Sequence, residues 1–561
     1  MATTTGGELA ARALIETGAE YLFTLSGGHI TPIYNHLEDG SVKMFDTRHE
    51  QAAVFMAEAW GRMTRKPGIA MVTAGPGFTN ALTGVANARQ ANSPLLLVSG
   101  CVGVSCAEKL DLQDMCQVPV IEPMVKKSFA CHTPSRIPEF VDMAYRAAAS
   151  GRPGPVFLEL PVDVLNAEAK EPEQKIRNTV VDSRPVDLAG ARRVVEMLER
   201  AEQPMIIAGN GAWYADAGAE LVAFAEKTGV PVFTAGMSRG LIPDTHPQCF
   251  EASIGIRPGA TMHAQGNADL ILLLGARISL FYMFGNLFSP TAKIVQVDIQ
   301  PEEIGRNRPI DVPIFSDIQG LLAECNRLLD ERGGGDAGRL AGWTAELREE
   351  AEASQQQAAE AWEGDGPPIP PKRLARVIDE LMDREDDIIV ADGGDTQVWM
   401  GMTRTARAPG RYFDSGLYGC LGVGLPYALA AKLRHRDSRV CLITGDGSIG
   451  FNFMEFETAI RHELPVVVVI SNDLGWGMIR HSQELKLGHS IETGSYIGEV
   501  PYHKMVEALG GLGLRVDRTA DIEPALQEAF ASGKTACINV MTDPTAVSPG
   551  SIALAGVGAY G

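Results

Sequence analysis

No pair among the nine cysteines has Cys-x-x-Cys spacing, and they are scattered along 561 residues. An odd count without ligand spacing argues against a disulfide framework or a zinc site and reads as reduced, mostly buried thiols. Cys101, Cys106 and Cys116 lie near each other but lack a partnering histidine cluster. Positive charge is also short: 49 Lys and Arg against 70 Asp and Glu give a formal net charge of -21. Nucleic acid and anionic membrane faces both demand a basic counterpart, so neither is expected as a partner. No continuous apolar stretch reaches the roughly 18–20 residues that span a bilayer. The start, Met1-Ala2-Thr3-Thr4-Thr5-Gly6-Gly7-Glu8, has no basic n-region or long apolar run. A soluble, cytoplasmic protein without a signal peptide is the expectation.

The chain is 45% hydrophobic and 21% charged, and its length implies two to four domains. Short apolar runs alternate with amphipathic stretches, the pattern of βαβ units. Such runs occur at 21–25, 69–73, 95–99, 156–160, 205–209, 270–275, 294–298, 388–392, 440–444 and 466–471, all but 21–25 and 156–160 ending in Gly, Asp, Ser or Thr. Two composition shifts mark connectors. Residues 168–184 are polar, and 332–371 hold a triple glycine, a Gln/Ala/Glu-rich stretch and Pro367-Pro368-Ile369-Pro370-Pro371, which suits a stiff extended linker. The resulting α/β architecture has three doubly wound parallel-sheet domains, at 1–180, 181–345 and 346–561. Whether the first and third share a fold stays open. The Gly/Ala/Ser-rich tail 544–561 reads equally as a lid or as a frayed terminus.

The sharpest feature lies in the third block. A strand at 440–444 ends in Gly445-Asp446-Gly447-Ser448, a helix with apolar Phe453, Phe456 and Ile460 follows, and the next strand ends in Ser471-Asn472-Asp473-Leu474-Gly475-Trp476-Gly477. Glycines let backbone amides approach phosphate oxygens, and a helix start adds a favourable dipole. Adjacent parallel strands would bring Asp446 and Asp473 to one hard cation that also holds phosphate. Gly-Asp-Gly alone is a common turn. The second acidic turn at the end of the following strand is what favours a site. A Mg²⁺-dependent phosphohydrolase built on Asp446 lacks a second ligand cluster.

This run resembles the thiamine diphosphate signature, in which the Asp of Gly-Asp-Gly and a residue of a later Asn-Asn pair bind Mg²⁺. Here Asp473 stands in place of the second Asn, and Gly475 would give a carbonyl to the metal. Upstream, Arg48-His49-Glu50-Gln51-Ala52-Ala53 and Thr73-Ala74-Gly75-Pro76-Gly77-Phe78-Thr79-Asn80 resemble the amino-terminal pattern of the acetolactate synthase superfamily. The resemblance runs from Gly6 to about Thr542. It implies that the first and third blocks bind the pyrimidine and the diphosphate of thiamine diphosphate. It also implies a homodimer or homotetramer, with cofactor between the first block of one subunit and the third of another.

Thiamine chemistry needs a carboxylic acid on the aminopyrimidine, so that its 4′-amino group can remove the C2 proton. The resemblance gives that role to Glu50, which on its own reads as a helix-start acid favoured by the dipole. Asp392-Gly393-Gly394-Asp395-Thr396 resembles a diphosphate-contacting turn. Gly419-Cys420-Leu421-Gly422 resembles the segment whose glycine carbonyl holds the amino group while Leu421 bends the cofactor. Leu421 alone would pass for a core leucine. Bending brings base and C2 proton together within one molecule. Gly28, Pro76, Asn80, Asp395, Thr396, Gly419, Leu421, Gly445, Gly447, Ser448, Gly475, Trp476, Gly477 and Met478 are expected to line the cofactor.

Within the superfamily, Gly6-Gly7-Glu8-Leu9, Gly28-His29-Ile30 and Ala536-Cys537-Ile538-Asn539-Val540 resemble benzaldehyde lyase. Thr24–Ile30 and Asn472–Trp476 resemble 2-hydroxyacyl-CoA lyases and acetolactate-synthase-like relatives. A lyase must remove the 2-hydroxyl proton of its adduct, whereas decarboxylation of a 2-keto acid needs no such base. His29 suits that work near neutral pH, although a loop histidine is more often a hydrogen-bonded surface residue. The resemblance sets Gln113 on the same oxygen, with Glu492 as a second base. A CoA thioester would need cations, and Arg239, Arg257, Arg277 and Lys486 make no evident cluster. In relatives the central block holds FAD, ADP or nothing. Gly209-Asn210-Gly211, Gly275-Ala276-Arg277 and Asp298-Ile299 do not decide among these, and no redox role is expected. A cofactor-binding scaffold without catalysis is the rival of another class, and it would have no use for Glu50.

Overall fold

The computed structural model describes residues 3–37, 40–170, 184–252, 257–360 and 367–556. The apolar runs form strands because a strand covered on both faces is apolar along its whole length. Leu95–Cys101 and Leu270–Leu274 are buried at every residue. The amphipathic stretches form the covering helices, which need only one apolar stripe. Three six-stranded, all-parallel sheets result, as expected from the sequence.

The first sheet runs, in spatial order, Lys43–Asp46, Tyr21–Thr24, Gly68–Val72, Leu95–Cys101, Pro155–Pro161 and Lys127–Ala130. The third runs Tyr412–Asp414, Ile388–Ala391, Val440–Gly445, Val467–Asn472, Ala536–Met541 and Leu512–Val516. Numbered along the chain, both follow the order 2-1-3-4-6-5, so these two blocks share a strand topology. The central sheet runs Cys249–Ala252, Val232–Thr234, Pro204–Ala208, Leu270–Leu274, Lys293–Asp298 and Val312–Phe315, the order 3-2-1-4-5-6.

Contacts divide the chain into two compact units. One is drawn from Met1–Asp182, Ser415–Asp437 and Ile449–Val466 and carries the first sheet. The other is drawn from Ser183–Asp414, Ser438–Ser448 and Val467–Gly561 and carries the second and third. In open α/β sheets ligands bind outside the strand carboxyl ends where the order reverses. In the first sheet that point lies between Tyr21–Thr24 and Gly68–Val72. In the third it lies between Ile388–Ala391 and Val440–Gly445.

Within 332–371 the Gln/Ala/Glu-rich stretch, read as helical, is the helix Ala341–Glu360, and its Trp343 and Leu347 are buried in the central core. Trp343 Nε1 also donates to the Pro204 carbonyl at 2.9 Å. Its Gln/Ala/Glu-rich sequence hides these two apolar anchors. The 168–184 connector starts as a strand, Glu168–Lys170, paired antiparallel with Thr3–Thr5; 171–183 lie outside the described residues. Finally, the tail is not frayed over its described part, which forms the helix Pro549–Gly556. All nine cysteines are free. Among the described residues no helix is long and apolar enough to cross a membrane.

Candidate active site

In the first unit, the helix Glu50–Thr64 starts where His49 caps it, its Nδ1 accepting the Gln51 N–H at 3.1 Å. Glu50 therefore lies in the first turn, and only 7% of it is exposed. Its Oε2 accepts from Asn80 Nδ2 at 3.0 Å, across from the helix Pro76–Ala91. A Cβ built on Gly77 would fall 3.4 Å from Glu50 Oε1 and 2.7 Å from Thr73 Cγ2, so glycine lets this helix start approach Thr73 and Glu50 closely. Just ahead of the helix, the buried Glu455 accepts the Arg48 N–H at 3.0 Å and the Thr458 hydroxyl at 2.6 Å. Burial pushes the Glu455 carboxyl up to about 7, against the opposing bonds from Thr458 and from the Arg48 and His49 amides.

The loops after Tyr21–Thr24 and Gly68–Val72 meet at the reversal point of the first sheet. His29 Nδ1 is 3.2 Å from Thr73 Oγ1, and the same hydroxyl lies 3.4 Å from Gln113 Oε1. Burial pushes the His29 imidazole below its ordinary pKa, with Asp111 and Gln113 acting in the opposite sense. Gln113 has a left-handed backbone, φ 67°. A Cβ on Gly75 would meet its carbonyl oxygen at 2.8 Å, so only glycine lets this loop approach. Gly28 and Pro76 are exposed on these two loops. Gly419 is left-handed, φ 66°, and Leu421 is half-buried rather than a core residue.

In the second unit three turns pack together at the carboxyl ends of neighbouring strands. Built Cβ atoms measure how closely: Gly393 against Gly445 N at 3.1 Å, Gly394 against Met478 Cβ at 2.8 Å, and Gly447 against the Trp476 ring at 2.7 Å. One on Gly477 would lie 2.2 Å from Asp473 Oδ2 and 3.5 Å from Asp395 Oδ2. Thr396 Oγ1 stands 3.6 Å from the corresponding position on Gly445, and Ser448 lies against Gly393. Asp395, Thr396, Gly445, Gly447, Ser448, Trp476, Gly477 and Met478 thus converge as the sequence implied. The helix expected after Gly-Asp-Gly is a single turn, Asp446–Ile449, with Glu455–Arg461 separate and in the other unit. One turn carries little macrodipole, so any phosphate contact here rests on the glycine-flanked amides.

Asp446 is 2% exposed. Its Oδ1 accepts the Gly447 N–H at 3.0 Å, while Oδ2 is buried without a hydrogen-bond partner among the described residues. Burial first, and then the neighbouring Asp473 carboxylate, raise its pKa. Burial also raises Asp473, against the attraction of Arg480, whose guanidinium lies 3.0 Å from Asp473 Oδ2. Glu492 is exposed at the start of Glu492–Ser495, whose Ser495 carbonyl accepts the Trp476 N–H at 2.8 Å. That carbonyl also explains Gly475, where a Cβ would come within 2.2 Å of it.

The thiamine pyrophosphate enzyme N-terminal TPP binding domain matches residues 4–120, the central domain 191–325 and the C-terminal TPP binding domain 392–540. A probable acetolactate synthase of Mycobacterium bovis is 35% identical over 97% of this chain and 96% of its own length. The chain belongs to the thiamine pyrophosphate enzymes. Human 2-hydroxyacyl-CoA lyase 2 is 32% identical, with 98% of this chain and 92% of that protein covered. The acetolactate synthase large subunit of Haemophilus influenzae is 31% identical, with 94% and 92% covered.

The residues fit the group this family carries. A buried carboxylate oxygen without a partner, beside a second carboxylate, is the donor set of a hard divalent cation. Glycines beside Glu50 and beside Trp476 let the neighbouring turns pack more closely than any side chain would permit.

Several residues of this thiamine pyrophosphate enzyme's site escaped the sequence reading. Thr73 joins His29 to Gln113, and Gln117 Oε1 accepts the Gly75 N–H at 3.2 Å. Asp395 pairs with His481 at 2.9 Å and accepts from Ser548 and from Ser551 at 2.6 Å, which docks the tail on the turn that follows Ile388–Ala391. One signal was available: an extra acid at 473 calls for a nearby cation, and Arg480 follows seven residues later.

Proposed function

We propose that this thiamine pyrophosphate enzyme is a carbon–carbon lyase and carboligase. Its substrate would be a 2-hydroxyacyl-CoA, cleaved reversibly to an aldehyde or ketone plus formyl-CoA, or a 2-hydroxy ketone. The observation that carries this reading is the cluster of His29, Thr73 and Gln113 at the reversal point of the first sheet. With Nδ1 engaged by Thr73, Nε2 is the nitrogen left to take the 2-hydroxyl proton. The lowered pKa keeps the imidazole neutral, and hence basic, on the acid side of its usual range. Gln113 orients the same oxygen, and Glu492 is the second base in reach of sequence reasoning.

When bound, thiamine diphosphate supplies a nucleophilic carbon that adds to the carbonyl and holds the electrons of the broken bond. Glu50, fixed by Asn80, exchanges a proton with the aminopyrimidine. Asp446, Asp473 and the Gly475 carbonyl would hold Mg²⁺, and Asp395, Thr396, Gly445, Gly447 and Ser448 would meet the diphosphate. Glu50 and these acids fall in different units of one chain, which suits a homodimer or homotetramer in which subunits share cofactors. The central domain takes ADP, FAD or neither, without redox function.

A second reading, a decarboxylating carboligase acting on 2-keto acids, draws on the relatives named acetolactate synthase. Incubation of the purified protein with a 2-hydroxyacyl-CoA, with benzoin and with pyruvate separates the two. The lyase reading expects aldehyde or ketone release from one of the first two; CO₂ release from pyruvate well above both cleavages overturns it.

A further inference from the structure

Two carboxylates side by side, the buried Asp446 and the half-buried Asp473, make a poor seat for a polyanion unless their charge is reduced. Among the described residues Arg480 is the cation paired with Asp473, while Asp395 and His481, paired with each other at 2.9 Å, also act on it. Arg480 lies on the helix Gly477–Leu487, one turn beyond the glycine that touches Asp473, and its side chain is 12% exposed. Its two terminal nitrogens are both committed. Nη2 pairs with Asp473 Oδ2 at 3.0 Å and donates to the Pro544 carbonyl at 2.8 Å. Nη1 donates to the Asp473 backbone carbonyl at 3.3 Å and lies 3.3 Å from a Cβ built on Gly475. One guanidinium therefore grips residue 473 by side chain and backbone together, a fork that a lysine cannot reproduce.

We infer that Arg480 is the positioning residue that allows an acid at 473, holding the Asp473 carboxylate in place and leaving the cation site with one net negative charge. With Asp446 and Asp473 ionised, Arg480 brings the sum over these three side chains to that of a single carboxylate. A divalent cation can then carry the diphosphate without a second uncompensated charge facing it. The bond to Pro544 gives Arg480 a separate, structural role in docking the tail. The two roles differ in one respect: only the first depends on the residue at 473 being an acid.

The inference rests on the reading of Asp446 and Asp473 as the cation site, and a double-mutant cycle tests it. Thiamine diphosphate affinity at saturating Mg²⁺ would be measured by calorimetry in wild type, Arg480→Gln, Asp473→Asn and the double variant. Arg480→Gln is expected to weaken binding on the order of tenfold or more, and adding Asp473→Asn is expected to recover most of that loss. Arg480→Met runs the same cycle should the glutamine variant not fold. Wild-type affinity in the Arg480 variant overturns the inference. So does a loss that Asp473→Asn leaves unchanged, which assigns Arg480 to the tail alone. A wild-type chain that binds no thiamine diphosphate with Mg²⁺ overturns the cation-site reading itself, and the inference with it.

Discussion

Glu455 accepts the backbone N–H of Arg48 at 3.0 Å, two residues ahead of Glu50, and so fixes the chain where the Glu50 helix begins. Below about 4.5 this carboxyl is neutral folded and unfolded alike, but its folded pKa is raised to about 7 by burial. Its contribution to stability is thus whole at low pH and is lost as pH rises through 7. Glu455→Gln keeps an acceptor for Arg48 and never ionises. Denaturant unfolding at pH 5 and pH 8 should show the variant gaining on wild type at the higher pH; a difference independent of pH contradicts this account.

Glu50→Gln leaves an oxygen for the Asn80 amide, so the fold and cofactor binding should persist. Proton exchange with the aminopyrimidine should not. Turnover is expected to fall by about 10²–10⁴-fold, with exchange of the cofactor C2 proton slowed by orders of magnitude. Nuclear magnetic resonance of C2–H exchange in the variant checks this, and normal exchange contradicts it.

His29 acts as a base only when neutral. Burial lowers its pKa, so the acid limb of kcat/KM should lie below the ordinary histidine value of 6.5. His29→Asn should remove that limb and slow cleavage by about 10²–10⁴-fold, while cofactor affinity stays near wild type. A limb that survives the substitution assigns the titration elsewhere.

Gly477→Ala would place a methyl 2.2 Å from Asp473 Oδ2, and Gly447→Ala one 2.7 Å from the Trp476 ring. Either shift displaces the turns proposed to hold the cation and diphosphate. Thiamine diphosphate affinity should drop in both, whereas Gly450→Ala, where a Cβ meets nothing within 4 Å, should bind as wild type. Equal affinities across the three would separate these turns from the cofactor.

The sheets were legible because strands such as Leu95–Cys101 and Val467–Asn472 open on four consecutive apolar residues and end in turn residues. The glycine-flanked acids were legible because their spacing follows the strand–turn pattern. Lys43–Asp46 was not, since three of its four residues are exposed and only Phe45 marks it. Docking of the tail was equally hidden: it rests on Ser548, Ser551 and the Pro544 carbonyl, which carry no hydrophobic period. Thr73 and Gln117 act through hydroxyl and amide groups brought together by parallel strands, a coincidence in space that one-dimensional spacing does not record.

The most direct test is a crystal structure of the protein grown with Mg²⁺ and thiamine diphosphate. The account predicts the Glu50 carboxylate within about 2.6–3.2 Å of an aminopyrimidine nitrogen, with Mg²⁺ on Asp446 and Asp473. A pyrimidine ring held away from residue 50, or a diphosphate bound without those two aspartates, would contradict it.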